Sequence, residues 1–189
     1  MTTTEIIRKN LFPNARCVAS GTQPVYTGDI SEISWEYEDL SGFCMGSDLE
    51  GLGAIVVFKV DGLNPGDRYV LDCEVGYWNS GIARGSIISV ETSGNTDGTV
   101  LATIPSGSHK PSERQQTLRF TAPANGVVYL KFRGPNPRDE SNSDMKCAFY
   151  DLQLELASTF DAAVSGGGFG SSPGTRCPGS ESRRAGGAR

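Results

Sequence analysis

Few side chains in this sequence have the types and the spacing that catalysis requires. The single histidine, His109, lies in a polar stretch at 106–111, and no nucleophile on a rigid turn accompanies it, as a Ser/His/Asp triad would need. Hydrolysis of a glycosidic bond needs two positioned carboxylates, but acidic side chains on the outer face of a sheet are usually only solvated. The candidate carboxylates are Glu36, Glu38, Asp39, Asp72 and Glu74. The sequence therefore predicts a protein that is not an enzyme.

The cysteines and the glycine-rich segment likewise carry no recognisable metal or phosphate motif. The five cysteines are scattered, without a CxxC pair or the cysteine and histidine spacing of a zinc site. Cys73 and Cys147 fall on strand-like stretches and are predicted to be buried, reduced thiols, since cytosolic synthesis disfavours disulfides. The glycine run at 166–170 lacks the Lys-Ser/Thr of a phosphate loop and is typical of a linker.

Charge and hydropathy exclude two classes of partner. The formal net charge of -5 argues against nucleic acid, because phosphate contacts need clustered Lys and Arg. The longest apolar run, 54–58, is far too short to cross a bilayer, so no membrane insertion is expected. The first five residues lack the basic and apolar regions of a secretory signal peptide, so we expect synthesis in a cytoplasm.

Alternating apolar and polar residues predict strands through most of the chain. The alternation is clearest at 69–77, where the odd positions are apolar and Asp72 and Glu74 are polar. The Asn125-Gly126 pair predicts a hairpin between two such segments. The other strand-like segments are 9–14, 33–37, 54–60, 86–90, 100–104, 117–121 and 127–132, and the stretches 20–32 and 42–53 are predicted to be loops.

A final run at 147–156 predicts the closing strand of the fold. Its even positions are apolar and are predicted to share one buried face: Ala148, Tyr150, Leu152, Leu154 and Leu156. No window of a dozen residues shows a helical stripe, so the fold class is all-β. We predict an antiparallel β-sandwich of about eight to nine strands over residues 1–156, followed by a disordered Gly/Ser/Arg-rich tail over residues 157–189.

Four segments, taken in order along the chain, resemble a known family. They are Asn10-Leu-Phe-Pro-Asn14, Val60-Asp-Gly-Leu-Asn-Pro-Gly-Asp-Arg-Tyr69, Gln116-Thr-Leu-Arg-Phe-Thr-Ala-Pro-Ala124 and Phe149-Tyr-Asp-Leu-Gln-Leu-Glu155. Together they are similar to the jelly-roll, carbohydrate-binding-module-like domains of minor tail proteins and tail fibres of bacteriophages and prophages. The resemblance covers about residues 8–160 and implies a jelly-roll sandwich.

The resemblance also implies a function, namely recognition of a host cell-surface polysaccharide by a domain of the virion. Such recognition stacks an aromatic ring on a sugar and surrounds it with polar side chains. Trp78 is the leading candidate because it falls outside the apolar register of its strand, whereas an aromatic residue of a sandwich more often lies in the core. The ligand-binding candidates are Trp78, Trp35, Tyr37, Tyr129, Asp72, Glu74 and Arg84.

Related modules often hold a structural calcium between the first and last strands. The resemblance implies Asn14 and Asp151 as the matching ligands in this chain. Calcium requires more oxygen ligands than these two, and no dense acidic loop supplies them. The sequence therefore predicts no certain cofactor and leaves a structural calcium as an open alternative.

Two other functions stay open. In the first, the chain is a purely structural tail or decoration protein of the virion, with its aromatic residues buried in the sandwich or between subunits. Its partners would then be other phage tail proteins, and a homo-oligomer would be expected in either setting because tails are symmetric. In the second, the domain degrades glycans. Both place the protein in a phage tail, made in a bacterial cytoplasm.

Overall fold

The computed structural model describes residues 8–28, 30–35, 41–47, 55–78, 86–105, 115–134 and 146–165. These residues form ten strands and one short helix. The strands are β1 Tyr26–Gly28, β2 Ile30–Trp35, β3 Gly42–Ser47, β4 Ile55–Val60, β5 Arg68–Trp78, β6 Ser86–Glu91, β7 Val100–Pro105, β8 Gln115–Thr121, β9 Val128–Arg133 and β10 Lys146–Leu156, and the helix is α1 Ala157–Ser165.

The strands form two five-stranded antiparallel sheets that pack face to face. Sheet A has the order β1-β4-β9-β6-β7, and sheet B has the order β2-β3-β10-β5-β8. The chain crosses repeatedly between the sheets, as in a jelly roll. The predicted all-β jelly-roll sandwich is confirmed, with ten strands in the described residues rather than eight or nine. No helix in this part of the chain is long and apolar enough to cross a membrane.

Aromatic rings fill the centre of the sandwich. The ring centroids of Phe12 and Phe58 are 4.9 Å apart, and those of Phe132 and Phe149 are also 4.9 Å apart. Phe43 contacts rings from both sheets at 5.3 to 5.8 Å. Such tilted and edge-on pairs stabilise a core beyond the area that they bury. The predicted burial of Cys73 and Cys147 is confirmed, since both thiols lie in the core.

Strands β1 and β3 were predicted to be loops, and in β3 glycine explains the error. In β3 the core residues Phe43 and Met45 alternate with Gly42 and Gly46, so the polar half of the pattern is absent. Gly42 is needed because a Cβ there would lie 2.5 Å from the carbonyl oxygen of Phe149 on the neighbouring strand. The close approach of the two backbones therefore requires glycine at position 42, and this glycine interrupts the sequence pattern by which a strand is predicted.

The predicted hairpin at Asn125-Gly126 is wrong. Strand β8 pairs with β5 in sheet B, whereas β9 pairs with β4 and β6 in sheet A. The turn between them bonds instead to the β4–β5 connection, where Leu63 N donates to Gly126 O at 3.1 Å and Ala122 N donates to Asp67 O at 2.9 Å. Two neighbouring connections thus cross from sheet to sheet side by side.

Strand β10 changes phase in its middle. Its register with β5 shifts between Tyr150 and Gln153, and Asp151 has a left-handed φ of 48°. Cys147 and Phe149 face the core before this bulge, and Leu152 and Leu154 face it afterwards. Ala148 and Tyr150 lie on the opposite side with Cys44. The prediction that all even positions share one face is therefore wrong, because the extra residue inverts the alternation.

The segment before β1 completes the edge of β10 beyond this bulge. Residues 9–14 do not form the predicted strand, but Leu11 N donates to Leu154 O at 2.6 Å. The Asn10 side chain donates to Leu152 O at 2.8 Å and accepts from Leu154 N at 3.0 Å. It also accepts from Phe12 N at 3.0 Å. One amide side chain thus replaces a strand partner where β3 has already ended.

Helix α1 packs on the outer side of sheet B. The Phe160 ring lies between the guanidinium carbons of Arg8 and Arg119, at 5.9 and 5.4 Å from its centroid. Arg119 also donates to Asp161 at 2.6 Å, and Arg8 pairs with the buried Glu155. Residues 157–165, which were assigned to the disordered tail, therefore form an ordered helix. Cation–π and ionic contacts hold it, without the long apolar stripe that a sequence search detects.

Replacing Asn10 with alanine is expected to lower the free energy of unfolding by about 2–4 kcal/mol, because backbone groups of Leu152 and Leu154 lose their partner. Chemical denaturation followed by tryptophan fluorescence measures the change. Asn64→Ala is the matched control, since Asn64 lies in an exposed turn, its side chain donates to Asp67, and its backbone bonds to Tyr69 and Asp67 remain in the alanine variant. It should change stability by less than about 0.5 kcal/mol. Equal losses in the two variants would contradict the role given to Asn10.

Candidate functional site

Trp35 and Tyr129, the two predicted aromatic ligand-binding residues whose side chains the structure describes, do not share one surface. Trp35 packs against the rings of Phe43 and Phe58, with centroids 5.7 and 6.3 Å apart, so the structure places it with the core rather than on an open face. This corrects the expectation that Trp35 is a stacking platform. Tyr37 and Arg84 lie outside the described residues. For Trp78 the structure gives the backbone, which pairs with Lys146 at the end of β5.

Asp72 and Glu74 lie on the outer face of sheet B. Both carboxylate oxygens of Asp72 are already bonded, since Gln115 and Thr117 each donate to them at 2.7 Å. Burial raises the pKa of Asp72, and these two hydrogen bonds oppose the rise. Glu74 is half-buried beside Gln115 in the β5–β8 register. Asp72 therefore contributes to a side-chain network that ties β5 to β8.

Tyr129 projects from the other sheet. Its register partners are Lys59 on β4 and Glu91 on β6, and all three lie on the outer face of sheet A. The structure thus separates Tyr129 from Asp72 and Glu74 by the full thickness of the sandwich. The members of the predicted ligand set that the structure describes therefore do not converge on a single site.

The two residues proposed as calcium ligands lie in one neighbourhood, on either side of Cys17. The amide of Asn14 is occupied by the turn that it makes, donating to Val18 O at 2.9 Å and accepting from Val18 N at 3.1 Å. The thiol of Cys17 lies nearby, and burial, helped by the charge of Asp151, raises its pKa to about 12. No group of three or more His, Cys, Asp or Glu suited to a metal occurs in the described ranges.

The outer face of sheet A instead holds a buried ionic cluster, formed by Ser89, Glu91, Lys131 and Arg133. Lys131 Nζ donates to Glu91 Oε2 at 2.7 Å, and Ser89 Oγ donates to Glu91 Oε1 at 2.6 Å. Arg133 Nη1 donates to Ser89 Oγ at 3.0 Å, and its Nη2 lies 3.4 Å from Glu91 Oε1. Charged groups this deeply buried need such pairing to be tolerated.

The cluster also holds a loop against the sheet. Lys131 Nζ donates to Asn95 O at 2.6 Å, in the turn between β6 and β7. That turn is closed by bonds between Thr92 and Thr99 and by the bond from Ser93 Oγ to Asp97 at 2.9 Å. One ammonium group therefore joins strand β9, strand β6 and the loop, which makes this part of the face rigid.

Two tyrosines flank the cluster, and each lies against a glycine. The Tyr26 ring lies over Gly28 on the outer side of β1, because a Cβ at Gly28 would be 2.5 Å from its hydroxyl oxygen. The Tyr129 ring lies on Gly94, where a Cβ would be 3.2 Å from two ring carbons. Tyr26 keeps 55% of its surface exposed. We call Tyr26, Tyr129 and the ionic cluster the sheet A face.

The spacing of the two tyrosine backbones follows from the register of β1, β4 and β9. Tyr26 pairs with Val57, which pairs with Lys131, two residues from Tyr129. The tyrosine backbones are thus about 10 Å apart across the strands and about 7 Å apart along them. The Tyr26 ring extends along β1 over Gly28 and the Tyr129 ring lies against Gly94 in the β6–β7 turn, so the rings lie farther apart than the backbones and could contact separate units of a chain-like ligand.

Sequence analysis could have found part of this face. Ser89 and Glu91 alternate with Ile88 and Val90, and Lys131 and Arg133 alternate with apolar residues in the same way. Out-of-phase polar residues on two strands are therefore the available signal. Their meeting depends on the β6–β9 pairing, which joins strands far apart in sequence. Tyr26 was missed because β1 has only three residues.

Comparison with known proteins finds similarity in shape. No family model matches this sequence, and no curated protein matches it. The second N-terminal cellulose-binding domain of Cellulomonas fimi β-1,4-glucanase C is 15% identical, with a TM-score of 0.48 over 79% of this chain and 95% of that one. The CBM22-1 xylan-binding domain of Paenibacillus barcinonensis Xyn10C is 11% identical, with a TM-score of 0.45 over 81% and 97%.

A phage protein also shows similarity of shape. The enzymatically active domain of tailspike protein 4 from bacteriophage CBA120 is 14% identical, with a TM-score of 0.43 over 61% of this chain and 15% of that one. At these identities and TM-scores, none of the similarities assigns a ligand or a source to this chain.

The ionic cluster should make the free energy of unfolding depend on pH in the acidic range. Burial alone raises the pKa of Glu91, but hydrogen bonds from Lys131 and Ser89 and the charges of Lys131 and Arg133 outweigh it and lower the pKa below its usual value. The stabilising contribution of Glu91 is therefore fully present above about pH 4.3 and is lost as the pH falls through the lowered pKa. Urea unfolding at a series of pH values measures it.

In Glu91→Gln this part of the pH dependence should vanish, because the amide does not titrate. The variant should also be about 3–5 kcal/mol less stable at pH 7, since the Lys131 ammonium stays buried without its counter-charge. Asp161→Asn is the matched control, because the Arg119–Asp161 pair is exposed and its removal should change little. If both variants behaved like the unmodified protein, the ionic cluster would not be a structural element.

Proposed function

We propose that this domain is a non-catalytic carbohydrate-binding module and that the sheet A face is its binding surface. The observation that carries the proposal is the pair of tyrosine rings, Tyr26 and Tyr129, held against glycines on either side of a rigid polar cluster. A sugar ring stacks its apolar side on an aromatic face and bonds its hydroxyls to polar groups beside it. The sheet A face combines both.

Each component of the face has a separate physical role. Tyr26 is an accessible ring whose position is fixed by the flat surface of Gly28 beneath it. Tyr129 is half-buried and supported by the Gly94 turn. Glu91 and Lys131 are buried and satisfy each other, so they keep the surface in shape rather than bind the ligand. Arg133, with 27% of its side chain exposed, is the polar group of the cluster that a ligand can reach.

The wider setting of the proposal comes from the four segments that resemble phage tail domains. We propose that the module acts in a phage tail and recognises a polysaccharide on the host surface. A shallow face with two stacking rings gives weak binding at a single site. Repetition around a tail axis would raise the affinity through effective concentration, which gives a homo-oligomer and other tail proteins a physical role.

The proposal predicts that Tyr26→Ala and Tyr129→Ala each weaken glycan binding about tenfold or more, which corresponds to about 1.4 kcal/mol. The reason is the loss of one stacking contact in each variant. Isothermal titration against a panel of neutral and acidic polysaccharides, including host wall polymers, measures the affinities. Circular dichroism establishes that each variant keeps the fold.

The control is Trp78→Ala, since Trp78 belongs to a strand of the opposite sheet. It should bind like the unmodified chain. Loss of binding in Trp78→Ala with normal binding in the two tyrosine variants would move the site to sheet B. Absence of binding by the unmodified chain to every polymer would overturn the proposed function and favour a structural protein.

A further inference from the structure

We propose that Arg8 and helix α1 form one conformational unit, attached to sheet B or released from it together through the buried carboxylate of Glu155. Arg8 and Glu155 are 147 positions apart in the sequence, whereas α1 follows Glu155 directly. The unit lies on sheet B, opposite the sheet A face, and its behaviour is independent of glycan binding. It would couple a segment near the start of the described fold to the helix at its end.

The Glu155 carboxylate is bonded by side chains from three segments. Its side chain is 1% exposed. Arg8 Nε donates to it, at 3.0 Å from Oε1 and 3.1 Å from Oε2, and Gln153 Nε2 donates to Oε1 at 2.8 Å. The Thr159 hydroxyl, in the first turn of α1, lies 2.9 Å from Oε2. One buried charge therefore joins the segment at Arg8, strand β10 and helix α1.

Helix α1 is attached by its first turn. Ala157 is the buried residue of the helix, and Thr159 and Phe160 are half-buried. Further along the helix, Ala162 and Val164 are exposed. Attachment therefore depends on few side chains, and such an element can open locally while the rest of the domain stays folded.

The helix covers an apolar residue on the outer face of sheet B. Val70 lies between Glu155 and Arg119 in one row across β10, β5 and β8. Its neighbours Tyr69 and Leu71 belong to the core, so its own side chain faces outward, yet it is completely buried. Glu155 and Arg119 both bond to α1, which places the helix over Val70. Release of α1 would expose Val70 and open Glu155 to water.

Loss of Arg8 favours release of the helix. The charge of Glu155 would stay buried beneath Thr159 without its counter-charge, and a buried unpaired charge is strongly unfavourable. Water can solvate the carboxylate once α1 has moved away, so opening relieves this cost. The Phe160 ring would also lose the Arg8 guanidinium, whose carbon lies 5.9 Å from its centroid.

Release of the helix in turn weakens the attachment of Arg8. Glu155 would lose the Thr159 hydroxyl and become accessible to water, and an ion pair that water reaches contributes little. The Phe160 ring would leave with the helix. Coupling between two such events is reciprocal, so each must stabilise the other by the same factor.

Native-state hydrogen exchange of the full chain, followed by NMR, measures the coupling in both directions. In Arg8→Ala, the amides of α1 should exchange at least about fivefold faster than in the unmodified chain. In Ala162→Gly, which weakens the exposed side of the helix without replacing a contact of Arg8, the Arg8 Nε–H should exchange about threefold faster or more.

Lys9→Ala is the matched control, since Lys9 is the neighbouring cation and is exposed. Its α1 amides should exchange within about twofold of the unmodified rate. Arg8→Lys should give an intermediate rate, because lysine keeps the charge but loses the planar donors. The amides of β9, in sheet A, are the internal reference for global unfolding and should keep their rates in every variant.

Three results would overturn the proposal. The first is an unchanged rate in α1 when Arg8 is replaced. The second is a rise in α1 that only equals the rise in β9, which would indicate global unfolding. The third is an Arg8 Nε–H that stays as protected in Ala162→Gly as in the unmodified chain while the amides of α1 exchange faster, since the helix would then open alone.

Discussion

The hydrogen bonds of the Asn10 side chain to β10 are the constraint on which the rest of the sandwich depends. Strand β10 is central in sheet B, and its pairing with β3 ends at Tyr150, just before the bulge at Asp151. Beyond this point the Leu152 carbonyl and the Leu154 N–H have no hydrogen-bond partner on β3. Asn10 supplies that partner, and the same segment inserts Phe12 into the aromatic core. The bulge and the segment at 8–14 therefore depend on each other.

The ionic cluster shows how a charged group can lie on the outer side of a sheet and still be buried. Lys131 donates to Glu91 on the neighbouring strand β6 and to the Asn95 carbonyl of the loop that follows it, so its bonds join separate parts of the chain. Replacing water by fixed partners is costly for a charge unless the partners are arranged in advance. That arrangement makes the face rigid, and rigidity lowers the entropy lost when a ligand orders the rings beside it.

The alternation of residues on β4, β5, β6, β8 and β9 was enough to predict the fold class and most strands, because each strand there has one face in the core. It failed where the backbone departs from regular pairing. Three features were missed because they depend on contacts between distant segments. They are the bulge at Asp151 in β10, the glycine-containing strand β3, and the connection at Gly126 that crosses between the sheets. For the site, the sequence identified Tyr129 as an outward aromatic residue. It gave no signal that Tyr26 and Arg133 lie on the same face.

The contacts of Arg8 and Arg119 with the Phe160 ring have a mechanical consequence. Arg8 and α1 lie at opposite ends of the described fold in sequence, yet both attach to the same side of sheet B. Tension applied between residues 8 and 165 would therefore load the Arg8–Glu155 and Arg119–Asp161 pairs together with β10 and β8, the strands that carry Glu155 and Arg119. Both points of attachment lie in sheet B, so sheet A, which carries the two tyrosines, is not between them.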